Sequence, residues 1–178
     1  MNMKIKSLVL GTLLGGLTAL VWSNISWELI GWHEKTLLTF QKDDEVAAEI
    51  ASHTVEDGTY LMPYGTSKEA QDRMQKGPIM LAAVRRGGMG SVTRLFAVQV
   101  AILFAVAFLL TWLLLHTSGL SYARRVMFVA LVGLAASVIV DLPNWNWWGF
   151  SGSFTAVDVA DNVLTCLFSG LVIAKVAK

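Results

Sequence analysis

Four apolar stretches alternate with polar ones along this chain, and each approaches the length of a membrane-spanning helix. They cover residues 7–22 with an apolar extension to 30, 95–115, 126–140 and 156–176. Crossing about 30 Å of hydrocarbon takes roughly 20 helical residues. The third stretch is the shortest and needs Tyr122, Ala123 and Leu142 to reach that length. The pattern predicts an all-α membrane protein, a four-helix bundle.

A polar region, residues 31–94, separates the first two helices and has the pattern of a small α/β unit. Its period predicts strands at 36–40, 59–62 and 79–84. One helix should begin at Asp43 or Asp44, and Thr66 and Glu69 have capping-box spacing at the start of another. A unit of this size buries little apolar surface, so we expect it to rest on the helix ends or on a partner.

Three sections therefore divide the chain. Residues 1–30 form the first helix, residues 31–94 the inserted α/β unit, and residues 95–178 the other three helices with a tryptophan-rich loop at 141–155. Because the first stretch lacks a small-x-small cleavage pattern, we expect it to be a retained helix and not a signal peptide.

Basic residues in the short flanks predict the orientation, because lysine and arginine accumulate on the cytoplasmic side. These flanking residues are Lys4, Lys6, Arg124, Arg125, Lys175 and Lys178. Both termini should then be cytoplasmic, and the α/β unit and the 141–155 loop extracytoplasmic. Compactness and an external unit without cysteine favour a bacterial inner membrane.

Composition restricts the function classes. Hydrophobic residues make up 54% of the chain and charged residues 15%, and the formal net charge is +1. This small net charge, spread in short pairs, argues against nucleic-acid binding. Cys166 is the only cysteine, so the chain has no internal disulfide.

Small residues at helical spacing are candidates for close helix packing in lipid. They would join the four helices to each other or bind a foreign helix. These residues are Gly11 and Gly15, Ala97, Ala101 and Ala105, Gly133 and Ser137, and Gly170.

Polar residues of the fourth helix are the main candidates for chemistry, because ionisable groups inside a bilayer are costly and often functional. Asp158, Asp161 and Asn162 lie on one helical face, and Asp141 ends the third stretch. Asp158 can cap the helix through a box with Thr155. Asp161 would either pair with Arg94 or an indole N–H from the preceding loop, or serve a proton or cation pathway.

The aromatic segment after Asp141 is the most distinctive local sequence. Pro143 should end the third helix, and Trp145, Trp147 and Trp148 should then lie in a loop at the membrane surface. An aromatic belt, a partner-binding surface and a pocket for a lipid or quinone head group remain open interpretations. Arg85 and Arg86, before a glycine-rich hinge, are further partner-binding candidates.

No metal or cofactor site is expected. His33, Glu34 and His53 do not form a ligand motif, and we expect them to be surface or interfacial side chains. The topology resembles that of claudins and tetraspanins, but the external cysteines of those families are missing. We carry over neither their fold nor their function.

These observations favour a non-enzymatic membrane subunit or adaptor that contacts lipid and binds another membrane or periplasmic protein, or a second copy. One alternative is a small transporter or ion-translocating component that uses Asp161, with Asp141 or Asp158 at its mouth. Another is a membrane enzyme acting on lipid or quinone at the external interface with Trp148 and His33.

Overall fold

The computed structural model describes residues 3–177 and contains four long helices, a pair of short helices and one small sheet. In chain order its elements are α1 (Met3–Asn24) with a π-helical continuation (Ile25–Ile30), a 3-10 turn (Glu34–Thr36), α2 (Asp43–His53), β1 (Gly58–Met62), α3 (Lys68–Lys76), β2 (Met80–Val84), α4 (Val92–Leu115), α5 (Tyr122–Trp148) and α6 (Gly152–Val176). Lys178, one of the predicted cytoplasmic markers, lies outside the described residues.

Among residues 3–177, four helices are long and apolar enough to cross a membrane, which confirms the predicted number. They are α1 with its continuation, α4, α5 and α6. Helix α5 has 27 residues, so the third span is not the short one that its uninterrupted apolar run suggested.

Helices α1 and α6 form the central pair. Helix α4 packs along α1 and α5 packs along α6, whereas α4 and α5 touch each other only lightly. The shared core lies at the end where α4 turns into α5, where Leu114, Val129 and Ile173 are fully buried. We call the other end, from which residues 31–91 emerge, the insertion end.

Glycines permit the close helix contacts. A Cβ on Gly15 would lie 2.7 Å from Ile173, one on Gly133 2.7 Å from Cys166, and one on Gly170 3.0 Å from Val129. A Cβ on Gly11 would overlap the side chain of Thr111. These helices therefore approach each other as closely as their backbones allow.

The alanine stripe predicted on α4 does not lie in a helix contact within the chain. Ala97, Ala101 and Ala105 are exposed, and α4 instead turns Leu103 and Ala107 inward. The spacing predicted a face of small residues on α4. Which face of α4 contacts α1, however, depends on how its side chains pack against the glycines of α1. Ser137 on α5 is buried, and its hydroxyl has no hydrogen-bond partner.

Helix α5 continues through Pro143 to Trp148, so the prediction that Pro143 ends it is wrong. A proline inside a helix removes one backbone hydrogen bond, and this loss does not outweigh the bonds of the following turn. Gly149 ends the helix with a φ of +75°, and its N–H donates to the carbonyl of Asn144. The predicted loop at 141–155 is reduced to residues 149–151 between α5 and α6.

The insertion contains less sheet than predicted. Strands β1 and β2 pair antiparallel, from Gly58 opposite Val84 to Met62 opposite Met80. Residues 36–40 do not form the predicted strand, because the two-stranded sheet extends no further and offers them no partner. Ser67, and not Thr66, caps α3 by accepting a hydrogen bond from the N–H of Ala70.

Overpacking should reveal the α5–α6 contact. Replacing Gly133 by alanine forces a methyl group against the Cys166 side chain, and we expect the free energy of unfolding to fall by about 1–3 kcal/mol. Gly152→Ala is the control, because open space surrounds this glycine at the first position of α6 and an added methyl group meets no neighbour. Thermal unfolding in detergent measures both; a Gly133→Ala chain as stable as the Gly152→Ala chain would contradict the contact.

Candidate functional site

The chain reverses direction at the insertion end of α1. After the π-helical continuation, Gly31 adopts a φ of +61°, a conformation that glycine accepts without strain. The reversal carries His33 back against α6, where the residue is only 2% exposed. A residue expected to be a surface or interfacial side chain is therefore among the most buried polar groups of the described residues.

His33 lies between two carboxylates that are nearly one turn apart on α6. Its Nδ1 atom is 3.6 Å from Oδ1 of Asp158, and its Nε2 atom is 3.5 Å from Oδ2 of Asp161. The Oγ atom of Ser26 is 3.2 Å from Nε2. Both carboxylate distances exceed those of ordinary hydrogen bonds, so the attraction of His33 for the two acids is electrostatic.

Three tryptophans surround this imidazole. The indole N–H of Trp22 donates to Oδ1 of Asp161 at 2.7 Å, and that of Trp32 donates to Oγ of Ser26 at 2.8 Å. The ring of Trp27 stacks flat on His33, with centroids 3.9 Å and planes 2° apart. We call these seven residues the His33 cluster: Trp22, Ser26, Trp27, Trp32, His33, Asp158 and Asp161.

The cluster accommodates either charge state of the imidazole. A neutral ring can accept from the Ser26 hydroxyl at Nε2 and direct an N–H at Nδ1 towards Asp158. A protonated ring directs one N–H towards each carboxylate and also suits the π face of Trp27. In a low-dielectric surrounding a protonated His33 compensates one of the two acids, and the Trp22 indole stabilises the other.

A second polar group lies beside the cluster, between α5 and α6. The side-chain amide of Asn162 donates to Oδ2 of Asp141 at 3.3 Å. A small cavity of about 20 Å³ lies next to it, lined by Asp141, Asn144, Phe150, Phe154, Thr155 and Asp158. Asp158 thus borders both groups, and its side chain is 28% exposed, against 15% for Asp161.

The order Ser26, His33, Asp158 is that of a nucleophile, its base and the acid that orients the base. Ser26, however, is 0% exposed, and its hydroxyl already accepts the Trp32 indole N–H. A carbonyl substrate has no approach to this oxygen. Within residues 3–177 no group of three histidine, cysteine or acidic side chains is arranged to hold a metal ion. The contacts of His33 with the two acids connect the end of the first span to α6.

Two predictions for the acids need correction. Ser151, and not Thr155, caps α6 by accepting from the N–H of Phe154, so Asp158 lies beyond the capping turn. Asp161 does bind an indole N–H, as one alternative proposed, but the donor is Trp22 on α1 and not the preceding loop or Arg94.

Sequence reasoning missed the partners of these acids. Five residues of the cluster fall within one short run at the end of the first apolar stretch, and all but Ser26 carry a ring nitrogen: Trp22, Ser26, Trp27, Trp32 and His33. This density of ring nitrogens beside a predicted span was the available signal. It could not be assigned to α6, because the reversal at Gly31 has no periodic pattern.

The remaining predicted site residues lie apart from the cluster. Trp145, Trp147 and Trp148 occupy the last turns of α5 and are 53%, 72% and 39% exposed. Arg86 ties the insertion together: its N–H donates to Asp57, and its guanidinium donates to the carbonyls of Ala51 and Val55. Arg85 is exposed.

Comparison of the chain with protein-family models, with curated proteins and with solved structures gave no match. The cluster must therefore be interpreted from its own geometry.

Removing the indole N–H of Trp22 should show how much its hydrogen bond to Asp161 contributes to stability. Trp22→Phe keeps an aromatic six-membered ring but removes the five-membered ring with the N–H that Asp161 accepts, and hydrogen bonds to charged groups contribute about 1.5–3 kcal/mol. We expect a loss of that size in the free energy of unfolding, and a smaller loss when Asp161 is already asparagine. Trp145→Phe, at an exposed indole, is the matched control. Equal losses at Trp22 and Trp145 would show that the hydrogen bond contributes nothing.

Proposed function

We propose that this protein is a non-enzymatic integral membrane subunit or adaptor. Its four helices anchor it, and its insertion, together with the tryptophan-bearing end of α5, binds a partner protein. The partner is another membrane or periplasmic protein, or a second copy of this chain. Both termini are cytoplasmic in this proposal, and the membrane is a bacterial inner membrane.

The observation that carries the proposal is that the insertion has almost no core of its own. Among residues 37–91 only Thr54, Pro63 and Ala70 are buried. Meanwhile Val55 is 85% exposed and Tyr64 80%. Large exposed apolar side chains on a small unit are typical of a surface that another molecule covers.

The anchoring of the insertion supports the same proposal. The insertion is fixed at both of its ends. Near its beginning His33 contacts α6, and directly after it the long helix α4 begins. A binding surface attached to fixed points loses less conformational entropy when a partner binds.

The orientation has its own support. Arg125 donates from its guanidinium to the carbonyl of Ala174, so the start of α5 and the end of α6 lie together. Lys175 is in the last turn of α6, and Lys4 and Lys6 are in the first turns of α1. Basic residues thus gather at the end opposite the insertion, which the positive-inside rule assigns to the cytoplasm.

Site-specific photocrosslinking in the host cell tests the proposal. A photoreactive phenylalanine analogue replaces Tyr64, and in a second chain it replaces Gln75, an exposed polar residue of α3. We expect one adduct of defined mass from position 64 and none from position 75. Tyr64→Ser should weaken the isolated complex by about 2 kcal/mol, the effect of truncating a central interface residue.

The opposite result is equally clear. A chain that gives no adduct at position 64, and that is a monomer after mild detergent extraction from its own host, does not serve as a partner-binding subunit.

A second candidate function is ion translocation through Asp161, with Asp141 or Asp158 at the mouth. The favouring observation is the contact of His33 with two acids beside a polar cavity, because imidazole and carboxylate groups are the usual members of proton relays. Between Asp161 and Lys175, the only ionisable side chain of α6 is the thiol of Cys166. This favours the adaptor over the transporter.

Flux measurements separate the two candidates. Asp161→Asn removes the charge but keeps an oxygen that can accept the Trp22 indole N–H, so we expect a folded protein. A transporter would lose proton or cation flux in liposomes, whereas Asp72→Asn on the exposed face of α3 would retain it. Unchanged flux in the Asp161→Asn chain would exclude this role for Asp161.

A further inference from the structure

The segment that follows His33 has a composition suited to a lipid surface. Leu37 is 58% exposed, Leu38 95% and Phe40 59%. Lys35 and Lys42 flank these three residues, and both lysines are exposed. Within the chain, Leu38 is therefore almost entirely without apolar contact, although it is five residues from one of the most buried side chains.

The His33 cluster fixes the height of this segment relative to the helices. Helix α6 has 25 residues and is about 37 Å long, whereas the hydrocarbon layer is about 30 Å thick. With α6 centred in that layer, Asp161 lies roughly 10 Å inside the hydrocarbon edge at the insertion end. His33 touches Asp161, so it lies near the same depth.

The chain cannot move far from that depth before Leu38. A 3-10 turn covers Glu34–Thr36, and Leu37 after it is extended. Such a turn rises about 2.0 Å per residue and an extended chain about 3.4 Å, so Leu38 is at most about 13 Å from His33. Even a path directly away from the bilayer centre would leave Leu38 at the level of the lipid head groups.

Neighbouring residues continue the same surface. Leu29 is 78% exposed and Ile30 41%, and both end the helical segment that is apolar enough to cross a membrane. Only the chain reversal that buries His33 separates the apolar end of the first span from the Leu37–Phe40 segment. Lysines beside apolar side chains suit lipid phosphates, because their stems lie on the acyl boundary and their charges reach the head groups.

We propose that residues 35–42 form an interfacial lipid anchor at the insertion end. Leu37, Leu38 and Phe40 enter the acyl boundary, while Lys35 contacts head-group phosphate. Lys42, at the other end of the segment, is held in an ion pair with Glu45. The anchor is separate from the partner-binding surface proposed at Tyr64, so either proposal can fail without the other.

Depth-dependent quenching tests the anchor in the full-length chain. A cysteine replaces Leu38, Phe40 or Val55 in separate variants, each is labelled with an environment-sensitive nitrobenzoxadiazole dye, and each protein is placed in phosphatidylcholine–phosphatidylglycerol nanodiscs. Val55 is the matched control, because it is apolar and 85% exposed but lies beyond α2. The unaltered chain is the labelling blank, since Cys166 is buried.

The anchor predicts blue-shifted emission at positions 38 and 40 and several-fold stronger quenching by lipids spin-labelled near the top of the acyl chain than at position 55. Iodide in the water should quench position 55 more strongly than position 38. Lipid quenching that is equal at 38, 40 and 55 overturns the proposal. Protection from iodide without quenching by lipid also overturns it, because a protein surface and not lipid would then cover the segment.

Discussion

The insertion end of this protein depends on one constraint: two carboxylates on a helix apolar enough to cross a membrane need polar partners. Asp158 and Asp161 lie on α6, and charges without partners are costly in a low-dielectric surrounding. Their partners come from another part of the chain: His33 lies within 3.6 Å of both carboxylates, and the Trp22 indole N–H donates to Asp161. To bring His33 into place the chain must reverse at Gly31, and this reversal determines where the insertion begins.

At the end opposite the insertion, close packing of apolar side chains stabilises the structure instead of polar contacts. Glycines let α1 approach α4 and α6, and let α5 approach α6, so the helices gain dispersion contacts that lipid cannot offer equally. The two ends therefore use different physics. Close packing holds the core around Ile173, and a compensated polar cluster holds the insertion end, while the insertion itself contributes little core to either.

Patterns that involve neighbours in sequence were predicted well. The four spans, α2, α3 and both strands of the sheet follow from apolar length, periodicity and turn residues, all of which act within a few residues. The strand at 36–40 was wrong, because a strand also needs a partner. The prediction that α5 ends at Pro143 was wrong, because the one backbone hydrogen bond that proline removes costs less than the bonds that the following helical turn gains.

The amino-acid sequence by itself determined that the chain has four helices able to cross a membrane and where acids occur along them, because hydrophobic length and residue identity are local properties. Only the tertiary structure decided which groups meet: that Trp22 rather than Arg94 binds Asp161, that His33 is buried, and that Ala97, Ala101 and Ala105 face outward. Such contacts depend on the distance and rotation between helices far apart in the chain, and no periodicity encodes these quantities.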